Sequence, residues 1–189
     1  MNTNILKGLG ATVIILTTVS FTKPMEKEMK VKESTVTWKG KKVLGSHYGT
    51  INLTEGSLVM EGEKIAAGKF VIDMTSILVQ DLSGENKDKL EGHLKSDDFF
   101  GVANYPTSTL IIKSGNKTAE GYYINGDITI KGKTEPIAFL LKMDGSKATA
   151  DLKIDRTKFN VRYGSGSFFD NLGDNTIYDE FELAVSLTF

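Results

Sequence analysis

The side chains able to do chemistry in this chain are few and scattered. There are two histidines and no cysteine, so a thiolate metal site, a disulfide framework and a catalytic thiol are all excluded. His47 and His93 lie far apart in sequence and match no local metal-ligand spacing. Each reads as a hydrogen-bonding residue, with His47 placed at a polar rim and His93 at a helix end, where a cation meets the negative end of the helix dipole. Arg156 follows Asp155 at the end of an alternating run. Its planar fork of donors suits a carboxylate or phosphate head group, and it equally suits an ion pair that staples the strand end. Arg162 is a weaker candidate for the same role. The acidic residues Asp170, Asp174, Asp179 and Glu180 do not follow the calcium-loop spacing and read as a solvated loop. No nucleophile elbow, phosphate-cradling glycine loop or zinc-protease signature is present. The chain is therefore expected to bind rather than to catalyse, with no metal and no cofactor.

What remains is aromatic. Trp38, Phe70, Phe99, Phe100, Tyr105, Phe139, Phe159 and Tyr163 offer large, stiff apolar surface, with polar tips on the tyrosines and the tryptophan. With His47 and Arg156 as polar edges, they are the candidate ligand-binding residues. Phe99 and Phe100 are adjacent in a short turn, which predicts that one plugs an end of the fold while the other packs under a helix.

These residues must be positioned by strands. Apolar side chains alternate in Phe70, Ile72 and Met74, in Leu110 and Ile112, and in Tyr122, Ile124, Ile128 and Ile130. The alternation continues through Ile137 to Met143, Ala148 to Ile154, and Phe181 to Phe189. A period of two puts one apolar row on one face of a sheet and polar residues on the other. Lys131-Gly132-Lys133 and Asp144-Gly145-Ser146 sit between runs as hairpin turns. Asn125-Gly126 falls inside a run and marks a bulge or bend. One helix is expected over Asn86–Leu94, capped by Asn86 or Ser83, and a long loop over Gly164–Asp179. Short, successive antiparallel strands close most economically into a barrel, which removes exposed edges. A barrel of about eight strands has room inside for packed side chains or for one slim ligand, and periodicity alone leaves both open.

The net charge is -1 and no basic run stands out, so nucleic acid is not an expected partner. Near the N-terminus Lys7 precedes an apolar run from Leu9 to Phe21, too short to cross a bilayer, which takes ~20 residues. It fits the core of a signal peptide over residues 1–22, followed by a charged linker over 23–30 and a domain over 31–189. The expected location is periplasmic or secreted.

Four segments, in order, resemble the exported YceI-like proteins. The first is Ser46-His47-Tyr48-Gly49, and the second is His93-Leu94-Lys95-Ser96-Asp97-Asp98-Phe99-Phe100 with Tyr105-Pro106-Thr107. The third is Gly126-Asp127-Ile128-Thr129-Ile130-Lys131-Gly132-Lys133-Thr134, and the fourth runs from Asp155-Arg156-Thr157 through Lys158-Phe159-Asn160 to Val161-Arg162-Tyr163-Gly164. One departure is Gly101, where the family pattern often has a carboxylate. The resemblance implies an all-β fold, an extended antiparallel lipocalin-like β-barrel of about eight strands with one short helix. It also implies an apolar tunnel for a long-chain amphiphile such as an isoprenoid or isoprenoid quinone. Transient contact with a membrane or membrane protein would accompany a carrier role. The alternative is a solid barrel acting as a protein-interaction or stress-related module. Oligomeric state is not set by the sequence.

Overall fold

The computed structural model describes residues 25–189, and the expected signal segment lies outside them. The strands are β1 (Glu26–Lys30), β2 (Glu33–Lys42), β3 (Gly45–Glu61), β4 (Lys64–Val79), β5 (Thr107–Lys117), β6 (Tyr122–Ile130), β7 (Lys133–Asp144), β8 (Lys147–Asp155) and β9 (Ile177–Thr188). Helix α1 (Gly84–Lys95) follows β4, and short 3-10 turns cover Arg156–Phe159 and Gly173–Asn175. Neighbours run β3-β2-β9-β8-β7-β6-β5-β4, and β4 pairs back onto β3. The result is a closed, antiparallel eight-stranded barrel with one extra strand and one short helix. The extra strand, β1, occupies most of the segment read as linker. It pairs with Ser57–Glu61 of β3, beyond the stretch of β3 that β2 uses. Val31 joins the two, donating its N–H to the Gly56 carbonyl at 2.8 Å.

Turn chemistry fixes which end is which. Lys131 and Gly132 have φ of 49° and 71°, the left-handed pair that matches strand twist in a two-residue hairpin. That turn, the β2–β3 turn, α1 and the 156–176 segment crown one end, here the upper. The β3–β4, β5–β6 and β7–β8 turns and β1 form the lower end. The bulge expected at Asn125-Gly126 is present, with its extra residue on the neighbouring strand: Ile112 pairs with Gly126 and Ser114 with Asn125, leaving Lys113 unpaired. A Cβ on Gly126 would lie 2.4 Å from the Ile111 carbonyl oxygen, so glycine is what lets the strands pinch there.

Helix α1 begins two residues earlier than the spacing predicts, after Ser83, which makes no capping bond through its side chain. The helix is secured from outside itself: Glu91 accepts the Val79 N–H at 2.8 Å. The long loop is shorter than expected because β9 starts at Ile177 rather than after Asp179.

Two apolar regions fill the barrel differently. In the lower half Leu58, Ile65, Phe70, Ile112, Ile124, Leu141 and Leu187 form one packed core, with Phe139, Val185 and Leu53 against it. Each such side chain removed from water contributes roughly 1.5–3 kcal/mol. In the upper half β7 and β8 diverge after three pairs, Lys142–Asp144 against Lys147–Thr149. Phe159 and Val161, from the segment after β8, pack with Ile128, Ile130 and Ile137 to fill the space between them.

Gly49 sits opposite both Trp38 and Val79. A Cβ there would lie 1.8 Å from the Leu78 carbonyl oxygen and 2.8 Å from the Trp38 ring. Gly49→Ala is expected to destabilise the protein by at least about 2 kcal/mol in urea denaturation, at the severe end of overpacking. Gly40→Ala, whose Cβ meets nothing within 4 Å, is expected to stay within about 1 kcal/mol of the parent. Equal midpoints for the two variants would contradict this picture of the β2–β3 seam.

Candidate functional site

Above the packed core the interior is hollow. β2 turns Val36, Trp38 and Gly40 inward, β4 contributes Ile72, Met74 and Ile77, and β6 contributes Ile128 and Ile130. β9 adds Phe181 and Leu183, and Leu94, Phe99 and Phe100 close the top. The free volume is about 130 Å³, close to the ~150 Å³ apolar cavity that accepts a benzene ring. As it stands it accommodates a short hydrocarbon segment. The axis-long tunnel that the resemblance implies is thus open in the upper half and filled by side chains in the lower.

The lining is almost wholly apolar, and the donors its polar side chains carry are turned to backbone carbonyls. Trp38 Nε1 donates to the Thr50 carbonyl at 3.2 Å, and Ser108 Oγ donates to the Thr129 carbonyl at 2.6 Å. Arg156 is buried. Its Nη1 donates to the carbonyls of Val161 and Tyr163, both at 2.9 Å. Nη2 donates to Ile177 at 2.9 Å and Nε to Tyr178 at 3.1 Å. Asp179 Oδ1 lies 3.7 Å from Nη2, and the Phe99 ring lies 5.6 Å from the guanidinium carbon. Burial pushes the Arg156 guanidinium down, against the pull of Asp179 and Asp155, yet arginine stays cationic in proteins. Its donors tie residues 161 and 163 to the start of β9. For Asp179, burial pushes the carboxyl up, but hydrogen bonds from Ser165 and Ser167 and the charge of Arg156 together hold it below the usual range.

The lid is a compact turn. Ser96 Oγ caps the His93 carbonyl at 2.7 Å, and the N–H groups of Phe99 and Gly101 both point to the Ser96 carbonyl. Gly101 has φ of 59°, a left-handed conformation that disfavours side chains; this is the physical setting of its departure from the family pattern. Lys131 Nζ donates to the carbonyls of Asp97 and Phe99, both at 2.7 Å, fastening the lid to the β6–β7 turn. Burial pushes the Lys131 ammonium down while Asp97 and Asp98 draw it up. Phe99 and Phe100 meet edge-on at 5.0 Å and both face the cavity, while Phe99 also packs edge-on against His93 of α1 at 5.5 Å.

Of the ten aromatic and polar candidates, the structure brings Trp38, Phe99, Phe100 and Arg156 together at the cavity. Phe70 and Phe139 belong to the lower core. Phe159 fills the β7–β8 divergence. Tyr105 lies over Gly132 on the outside of the lid, and Tyr163 stacks edge-on against His93 at 4.3 Å. His47 is at the rim, its Nδ1 2.7 Å from Asp81, whose other oxygen accepts the Tyr48 N–H. Ile72, Met74, Ile128 and Ile130, from alternating rows that suit either a core or a lining, line the cavity, and Glu180, expected in a solvated loop, edges it. Among the described residues, no three His, Asp or Glu side chains converge to hold a metal, and no helix is long and apolar enough to cross a membrane.

A closed barrel around an apolar, lidded cavity defines a lipocalin-like fold. The YceI-like domain matches residues 28–189, and the chain belongs to that family. A UPF0312 protein of Yersinia enterocolitica is 33% identical over 100 residues, covering 52% of this chain and 49% of that protein. Protein YceI of Escherichia coli O157:H7 is 32% identical over 98 residues with the same coverage. The matched stretch therefore spans about half the length of these relatives. Among solved structures, BcnA of Burkholderia cenocepacia superposes with a TM-score of 0.63 at 22% identity, covering 82% of this chain and 96% of that one. A polyisoprenoid binding domain from Saccharophagus degradans, implicated in plant cell wall breakdown, gives a TM-score of 0.56 at 15% identity, covering 84% and 95%. These two likenesses establish the fold.

Arg156→Met, which keeps the stem and removes every donor, is expected to cost about 3–5 kcal/mol in urea denaturation by leaving buried partners unpaired; Arg156→Lys should recover little, because a point charge cannot serve divergent carbonyls. Acid sensitivity is expected at the rim. Burial pushes the Asp81 carboxyl up, but the hydrogen bonds from His47 and Tyr48 prevail and hold it below its ordinary value. A carboxylate depressed on folding contributes stability that is complete above its unfolded pKa of about 3.9 and is lost as pH falls through the lower folded value. Asp81→Asn should therefore flatten the stability-versus-pH curve below about pH 4, and an unchanged acid limb would remove Asp81 from the account.

Proposed function

We propose that this protein is an exported binding and carrier protein for a long-chain amphiphile, of which an isoprenoid or isoprenoid quinone is the best-fitting class. The observation that carries the proposal is the apolar cavity, lined by aliphatic and aromatic side chains and by a few interior polar groups that are already hydrogen-bonded. Membership of the YceI-like family supports it, as does the fold shared with a domain described as polyisoprenoid binding. Each CH₂ moved from water to such a wall contributes about 0.8 kcal/mol, less the cost of ordering a flexible chain. Affinity then comes from the tail. A chain longer than the free volume is housed by rotamer shifts in the upper half, where the lid and the 156–161 segment are held by side-chain hydrogen bonds rather than by continuous strand pairing. The role is binding without turnover, in keeping with a lining that is almost wholly hydrocarbon. The apolar run before residue 22 supports export to the periplasm or beyond, with release and loading at a membrane.

Trp38 is the only tryptophan of the chain and lines the cavity, so its emission reports occupancy directly. Titration with geranylgeraniol is expected to change Trp38 emission saturably at one ligand per chain, and native mass spectrometry of freshly purified protein should show a co-purified lipid mass. Empty protein from repeated preparations, together with flat emission on titration, would discard the carrier reading in favour of an interaction module.

A further inference from the structure

The wall of the cavity is irregular at a point that its lid does not cover. Of the residues lining it, only Tyr178 and Glu180 are exposed, and both belong to the start of β9. Register explains why. Between β2 and β3 pairing is regular through Gly40 with His47, Lys41 with Ser46 and Lys42 with Gly45. Between β2 and β9 it is not: Gly40 pairs with Phe181, but Lys42 pairs with Ile177. Tyr178, Asp179 and Glu180 therefore stand against Lys41 alone, and the wall bulges. Arg156 holds the bulge in place, because Nη2 and Nε take the carbonyls of Ile177 and Tyr178. On the β2 side the wall is bare. Gly40 continues the inward row of Val36 and Trp38, and a Cβ built on it meets nothing within 4 Å. Its neighbour across β3, His47, is tied to Asp81.

We propose that this gap between β2 and β9, kept clear by Gly40 and propped by Arg156, is the entrance through which a hydrocarbon tail is threaded into the cavity, its head group staying outside beside Tyr178 and Glu180. The inference rests on the tail-binding reading above. The head stays out because the interior offers it nothing: the donors of Trp38, Ser108 and Arg156 are committed to backbone carbonyls, and an unpaired polar head buried there would forfeit its bonds to water. The tail goes in because the wall behind Gly40 is apolar, from Val36 to Leu183.

The chain lacks cysteine, so Gly40→Cys supplies a single thiol at the opening with little added volume. Geranylgeraniol, followed by Trp38 emission and native mass, is the probe. Prior loading is expected to slow reaction of the introduced thiol with N-ethylmaleimide by about three- to tenfold, the thiol being covered to the same ~70–90% as a pocketed ligand. Attachment of fluorescein maleimide to the Gly40→Cys variant should abolish uptake, while the same label on Gly92→Cys, on the open face of α1, leaves it at the parent level. Should the labelled Gly40→Cys protein melt early, unlabelled Gly40→Leu carries the same expectation of lost uptake at an unchanged melting temperature. Uptake by the labelled Gly40→Cys protein or by Gly40→Leu at the parent rate, or equal thiol reactivity with and without the alcohol, overturns the entrance while sparing the carrier reading. Failure of the parent protein itself to take up the alcohol overturns the carrier reading, and the entrance with it.

Discussion

Closure sets the circumference of this barrel, and once eight strands are joined edge to edge the interior volume is no longer free to shrink. Every inward residue then either fills its share or leaves a void, and the sizes chosen along the rows decide which. In the lower half Leu58, Phe70, Ile112, Ile124 and Leu141 meet across the axis, and the space between strands is solid. In the upper half the inward row of β2 ends on Gly40, and β4 reaches only as far as Met74 and Ile77. A hollow results, and it persists because the walls are hydrogen-bonded strands that cannot collapse inward side chain by side chain.

A hollow of this kind is useful only if it is dry, and dryness is a matter of where polar atoms are sent. Arg156 shows how. A guanidinium beside a cavity would ordinarily call for water or an anion. Here it is spent on four backbone carbonyls, two of them in a segment with no strand of its own. One residue thereby supplies the pairing that the chain between β8 and β9 lacks, supports the bulge at Tyr178–Glu180, and leaves its flat face to Phe99. Lys131 does similar work for the lid, reaching the carbonyls of Asp97 and Phe99 from across the barrel mouth. Long basic side chains replace secondary structure at the end of the barrel where continuous pairing would seal the cavity.

The rows of alternating apolar residues, the hairpin at Lys131-Gly132 and the pinch near Gly126 were legible in the sequence because each is a local event with a local signature. Closure itself was legible as an economy of edges. The position of the hollow was not. Phe70 and Ile72 carry the same sequence signal, two apolar residues on one face of one strand, yet Phe70 lies in the solid core and Ile72 lines the cavity. What separates them is height along the barrel axis, which depends on the register of all eight strands together. For the same reason Tyr105 and Tyr163, attractive as aromatic walls, fall outside the barrel: each follows a left-handed or 3-10 turn that carries the chain over the rim. Arg156 was legible as a strand-end residue; that four of its five donors would be claimed by backbone carbonyls required knowing where residues 161 to 178 fold back.

The division between solid and hollow halves also bears on how much a bound chain can gain. A tail confined to about 130 Å³ brings only a few methylene groups out of water at about 0.8 kcal/mol each, hardly more than the cost of fixing them. Tight binding of a long chain therefore requires the upper half to widen, and widening is asymmetric in its cost. Opening the lower core breaks mutual packing among large side chains that nothing replaces. Parting β7 from β8 above Lys142 breaks no strand pairing, because the ladder already ends there; it displaces Phe159 and Val161 and loosens the bond from Arg156 to the Val161 carbonyl, and the tail of the proposed ligand would replace the lost apolar contacts. The wedge of Phe159 and Val161 is thus the element best placed to yield, and it is tied to the same arginine that bonds the carbonyls of Ile177 and Tyr178 at the β9 bulge.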